Sequence, residues 1–396
     1  MINKRYEKML SEKDLIFEIS YYAKARAEVV GAENVHNFSL GGPSVDPPQS
    51  VSDTIKKLVD EVPSKELHAY SPGVGLPQVR QQIADNLNER FGSNYGPGNI
   101  FMTIGASGAL AHAFRAVAEP GDEIMVFAPY FSEYKPYTEG AGLKLNIVPA
   151  NTENFQINFE AMEAQMNEKV TVVMVNSPNN PSGIVYNTET IKRLAQILEE
   201  KSAEYGHPIY LISDEPYREL LFAGTDAPFI ANYYKNTLVC YSFSKSITLP
   251  GGRIGYLAIN PDADNADLIF EICPQISRTI GMNGPTGLMQ RLVGEVCGDT
   301  ADLSVYEENR NILCEALKEY GYELTEPGGT FYMFPKALEE DSMAFCENAK
   351  ELDLMLVPGD IFGCPGFFRL AYCVPTERVK AALPALKKLA EAYGRI

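Results

Sequence analysis

The middle of the chain alternates two kinds of segment. Short, continuous apolar runs stand at "EIMVF" (123–127), "VTVVMV" (170–175), "IYLI" (209–212) and "TLVCY" (237–241). Runs of this kind fit strands covered on both faces. Between them lie helical patterns such as "TETIKRLAQILEEKSAEYG", where Ile191, Leu194, Ile197 and Leu198 share one face. A run rich in small residues, "SGALAHAFRAVAE" (107–119), predicts a helix ahead of the first strand. The alternation predicts an α/β fold: a mostly parallel sheet flanked by helices.

The last third reads differently. "DLSVYEENRNILCEALKEYGYEL" and "TERVKAALPALKKLAEAYG" predict amphipathic helices, the second capped by Thr376 and kinked at Pro384. "GGTFYMFP" and "GFFRLAYCV" between them predict strands. The expected division is a large domain over 46–284 and a smaller α+β domain made of 1–45 plus 285–396. A helical pattern over 13–30 would pack with the small unit.

Composition narrows the function. The 396 residues carry a net charge of −18, which argues against nucleic acid or an anionic membrane as partner. No apolar run approaches the roughly 18 residues of a membrane span. Seven scattered cysteines without a C-x-x-C pair fit reduced thiols in a cytoplasm. The four histidines are equally dispersed, so no metal site is expected.

In open α/β sheets ligands bind at the carboxyl ends of the strands. Strand 170–175 runs into "NSPNNPSG", strand 209–212 into "SDEPYREL" and strand 237–241 into "SFSK". One edge therefore receives Asn180, Asp214, Tyr217, Ser242, Ser244 and Lys245. The piece "FMTIG" (101–105) adds "GASGAL", a glycine-rich turn opening into a helix, whose free N–H groups suit an anion. With Ser242, Ser244 and Arg253 nearby, the natural anion is a phosphate. A phosphate seat, an amine, a carboxylate, an amide and a phenol together match pyridoxal 5′-phosphate.

The chain resembles the fold-type I, class I/II aminotransferases of the aspartate aminotransferase superfamily. The likeness runs from "NFSLGGPSVDPP" through "HAYSPGVGLPQVR", "TIGASGAL", "EPGDEIMVFAPYF", "NSPNNPSG", "SDEPYREL" and "SFSKSITLPGGRIGY" to "GFFRLAY". The resemblance implies that Lys245 forms a Schiff base with the cofactor and later shuttles a proton. Asp214 would pair with the pyridine nitrogen, although Glu215 stands beside it. Asn180 and Tyr217 would bond the phenolic oxygen. Phe131, or the adjacent Tyr130, would stack on the ring. Ala106, Ser107, Ser242, Ser244 and Arg253 would cradle the phosphate, with Thr248 a mild departure from the family's small or aliphatic residue there. Arg369 and the Gly41 backbone would clamp the substrate α-carboxylate, and Asn180 would also face the substrate. Tyr70 would reach a neighbour's phosphate in a homodimer, while Arg278 is read as a surface arginine.

Transamination between an L-amino acid and a 2-oxo acid is the expected reaction. The alternative is a C–S β-lyase, which uses the same catalytic set. A metabolite-sensing DNA-binding regulator fits poorly with so acidic a chain. A nucleotide-binding oxidoreductase fits poorly as well, because no G-x-G-x-x-G follows an early strand.

Overall fold

The computed structural model describes residues 2–10 and 14–396. Lys13, the first residue of the N-terminal helical pattern, lies outside them; the helix itself runs Leu15–Val30 and is capped by Asp14, whose side chain accepts from the Phe17 N–H.

A seven-stranded sheet organises the molecule. In chain order its strands are β1 (Ile100–Thr103), β2 (Glu123–Phe127), β3 (Lys144–Val148), β4 (Val170–Asn176), β5 (Tyr210–Asp214), β6 (Thr237–Ser242) and β7 (Gly255–Ile259). Across the sheet they run β1-β7-β6-β5-β4-β2-β3. The pairs from β3 to β6 are parallel, and β7 is antiparallel to both its neighbours. All four apolar runs became strands; β3 and β7 were not singled out in the sequence. Every residue of β5 and β6 is buried, as expected where helices cover both faces. At about 25 cal/mol per Å² of apolar area, each such Leu, Ile or Val stabilises the fold by roughly 1.5–3 kcal/mol.

Two consequences of this order build the site. Chain direction across the sheet reverses between β2 and β4, so the loops after these strands diverge and leave a crevice at their carboxyl ends. The antiparallel β7 starts where β6 and β1 end: Gly255 pairs with Ser242 on one side and Thr103 on the other. That register gathers "SFSK", "PGGR" and "GASG" at one point.

The C-terminal part has its own core, containing Leu313, Phe331, Tyr332, Phe345, Phe368 and Leu386. A three-stranded sheet joins Val357–Pro358, Phe368–Ala371 and Tyr332–Met333. The Leu15–Val30 helix packs with this part through Ile19 and Ala23, against Met355 and Val357. Thr376 opens the last helix rather than capping it: Pro375 takes the cap position and bonds no N–H through its side chain. The helix Gly287–Val296 shares a core with Val79, Ile83 and Tyr256 beside the large sheet. Among the described residues no helix is long and apolar enough to cross a membrane, and no cluster of His, Cys, Asp or Glu is suited to a metal.

Candidate active site

A cavity of about 440 Å³ opens at the carboxyl ends of the strands. Its walls include Gly41, Ala106, Ser107, Phe131, Asn180, Asp214, Tyr217, Ser242, Ser244, Lys245, Arg253 and Arg369. Segments more than 300 residues apart in sequence thus converge on one space. Of the residues expected at the site, only Tyr70 is absent from this wall; it is wholly exposed (105%). Arg278 is also exposed and donates to Gln275.

Lys245 stands on the short helix Phe243–Ser246 that follows β6, a turn capped by the Ser242 hydroxyl. Its Nζ donates to the Gly41 carbonyl at 2.6 Å. Burial pulls the amine down to about 8, and Arg369 and Arg253 add like charge. Neutral amine, the nucleophilic form, is therefore far better populated near neutrality than in an ordinary lysine. Gly41 is fixed by space, since a Cβ there would lie 1.7 Å from the Tyr332 Oη.

Asp214 closes β5 and is 4% exposed. Burial pushes its carboxyl up to about 7, against the pull of a bond from Tyr134 Oη, which donates to Oδ2 at 2.6 Å. The other oxygen, Oδ1, is buried with no partner. An unpaired carboxylate oxygen in such a place is costly unless a ligand supplies the donor. Glu215 takes a different part: it accepts from Ser213 and from Arg218 Nε, both at 2.6 Å, and leaves the cavity to Asp214.

Arg369 is 2% exposed on the strand Phe368–Ala371. Its guanidinium lies 4.8 Å from the Tyr332 ring centre and 4.9 Å from that of Phe362. It donates to Asn180 Oδ1 at 3.0 Å and to the Ser39 carbonyl at 2.5 Å. Stacking and neutral acceptors hold the cation, and no carboxylate among the described residues pairs with it, so its charge is kept for an anion. Its Nε is a second buried polar atom without a partner.

An anion site follows from the β7 register. Gly105, at φ 85°, turns the chain into the helix Ala106–Val117. Arg253 Nη2 reaches the Ile104 carbonyl at 3.2 Å, and the Ser242 and Ser244 hydroxyls are 2.8 Å apart. Helix N–H groups, two hydroxyls and a guanidinium make an anion site. Phe131 lines the cavity, whereas Tyr130 is buried away from it against Gly363. Thr248 is buried, at φ 50°.

The polar and titratable lining or supporting residues missed in the sequence include Tyr332, Tyr134, Asp14 and Glu133. Tyr332 exchanges a 3.1 Å hydrogen bond with Tyr217 between their hydroxyls. Its signal was its place in "GGTFYMFP", read only as a strand. Tyr134 was hidden in "YFSEYKPY" among other tyrosines. Asp14 and Glu133 also line the cavity, and nothing local distinguished them from surface carboxylates.

The class I and II aminotransferase family model matches residues 33–386. The chain belongs to this family. An aspartate aminotransferase of Thermotoga maritima is 30% identical over 92% of this chain and 94% of its own. A probable aspartate/prephenate aminotransferase of Aquifex aeolicus is 28% identical over 93% and 94%. Among solved structures, an aminotransferase from Eubacterium rectale superposes with a TM-score of 0.97 at 45% identity, covering 99% of both chains. The protein is an aminotransferase, and the family uses pyridoxal phosphate. The cavity fits that cofactor: an anion site, a buried amine, an aromatic wall and an unpartnered carboxylate oxygen share one space.

Proposed function

We propose that this aminotransferase exchanges the amino group of an L-amino acid with a 2-oxo acid in the cavity around Lys245. The observation that carries the assignment is the buried amine, held near 8, in one cavity with a free cation and an unpartnered carboxylate oxygen. Bound there, pyridoxal phosphate supplies a carbonyl that trades places with the amino group and a ring that withdraws electrons from the substrate Cα.

The protein's residues do the rest. Ala106, Ser107, Ser242, Ser244 and Arg253 seat the phosphate. Phe131 covers one ring face. Asp214, through its unpartnered Oδ1, would accept from the ring nitrogen, and Asn180 and Tyr217 would bond the phenolic oxygen. Arg369, with the backbone at Gly41, clamps the α-carboxylate through a fork geometry that fixes the orientation of Cα. Lys245 would hold the cofactor through its amine and, when that amine is free, would take the Cα proton on Nζ.

The active unit in this reading is a homodimer, in which Tyr70 of one copy reaches the phosphate of the other; its full exposure in a single chain supports this. Two moving units, 46–284 and 1–45 plus 285–396, would close on substrate, except that the helix Gly287–Val296, which shares the core of the large unit, would move with that unit. A cytoplasmic location accords with seven unpaired cysteines. The test is the cofactor spectrum of the loaded enzyme. An amino acid should convert the yellow band, and a 2-oxo acid added afterwards should restore it. A band that no amino acid changes would overturn the assignment.

A further inference from the structure

A substrate fixed at Arg369 and reacting beside Lys245 must send its side chain toward the rest of the wall. That wall contains Ile16, Phe17 and Leu40, together with two carboxylates, Asp14 and Glu133. Glu133 is half-buried, and burial, with the Asp14 charge adding to it, pushes its carboxyl up; both acids line the one cavity. Arg369 lines the same cavity as both acids. Among the described lining residues the cations are Lys245, Arg253 and Arg369, and the reading above gives each a task at the reacting end. The cavity is built for a ligand, since Asp214 Oδ1 and Arg369 Nε lie buried in its wall without partners.

We propose that Glu133 and Asp14 select amino donors carrying a distal cation, an ω-ammonium or guanidinium group, at the end of an aliphatic chain. This rests on the amino-acid site proposed above. Ile16, Phe17 and Leu40 suit the methylenes of such a donor. The distal charge relieves the repulsion between the acids, whereas a second carboxylate adds to it. The preference is opposite to the donor in the names of the Thermotoga maritima and Aquifex aeolicus relatives.

The test is a single-turnover half-reaction of the loaded enzyme with L-lysine, with L-norleucine (the same chain without the ammonium) and with L-aspartate. Following the cofactor band without any acceptor isolates the donor. Lysine should exceed norleucine by roughly tenfold or more in the ratio of rate to Kd, with aspartate lowest, as expected for one close charge pair at intermediate dielectric. Glu133→Gln should bring the lysine-to-norleucine ratio close to one. Asp14→Asn, which keeps a helix-capping side chain, should lower it in part. Aspartate equal to or faster than lysine, or a ratio indifferent to both substitutions, overturns the proposal while leaving the amino-acid site intact. A band unmoved by all three donors removes that site and the proposal with it.

Discussion

The Tyr134 hydroxyl donates to Asp214 Oδ2 at 2.6 Å and leaves Oδ1 without a partner on the cavity side. One bond therefore both orients the carboxylate and steadies its charge. Without it, burial beside Glu215 would drive Asp214 further toward the neutral acid, which cannot keep a ring nitrogen protonated.

Tyr134→Phe is expected to raise the Asp214 pKa and weaken cofactor binding roughly tenfold, the worth of one hydrogen bond to a charged group at about 1.5 kcal/mol. A fluorescence titration of the cofactor-free protein with pyridoxal phosphate measures it. An unchanged Kd contradicts the role given to Tyr134.

Asp214 also predicts a pH dependence of stability. Folded, its pKa is about 7; unfolded, it returns to the ordinary value near 3.8. As pH rises between these values the unfolded chain releases a proton that the folded chain keeps, so folding of the cofactor-free protein weakens across that window. The full effect, present above the upper value, is on the order of 4 kcal/mol at about 1.4 kcal/mol per unit. Asp214→Asn lacks this group. In urea denaturation its stability relative to the parent should rise with pH, and a difference independent of pH would refute the shift.

Arg369→Lys keeps the charge and loses the fork. We expect kcat/KM to fall about 10- to 100-fold, mainly through KM, as one charge-assisted hydrogen bond is worth about 1.5–3 kcal/mol. Steady-state kinetics with the best donor decide this. A KM within twofold of the parent would mean that the α-carboxylate sits elsewhere.

Lys245 should titrate far below an ordinary lysine, because burial penalises its charged form. Competitive labelling of the cofactor-free protein with an acylating reagent should give a midpoint of about 8 for Lys245. A Lys245 midpoint at the ordinary value would remove the basis for an easily deprotonated amine.

The sequence made the central strands legible because a strand covered on both faces needs an uninterrupted apolar run, as in "TLVCY". The two sheet strands it obscured have weaker patterns. β3 is partly exposed, in "KLNIV", whereas β7, "GYLAI", is buried throughout and was masked by the glycine-rich turn it follows. The polar residues at strand ends were readable for the same topological reason, and Asp214, Asn180 and Lys245 do share one cavity. Partners supplied from a distance were not readable. Tyr332 meets Tyr217 across 115 positions and Tyr134 meets Asp214 across 80, and neither side chain differs locally from a packed core tyrosine. The carboxylates Asp14 and Glu133 were opaque for the opposite reason, since each caps or precedes a helix as many surface acids do.

The most direct test of the account is to locate the cofactor on the chain. The loaded enzyme is reduced with borohydride, digested, and its peptides are weighed by mass spectrometry. The account predicts the reduced cofactor mass on the peptide containing Lys245, and its loss from that peptide when an amino acid is added before the borohydride. Label on another lysine, or no covalent label in a protein that is visibly loaded, would contradict it.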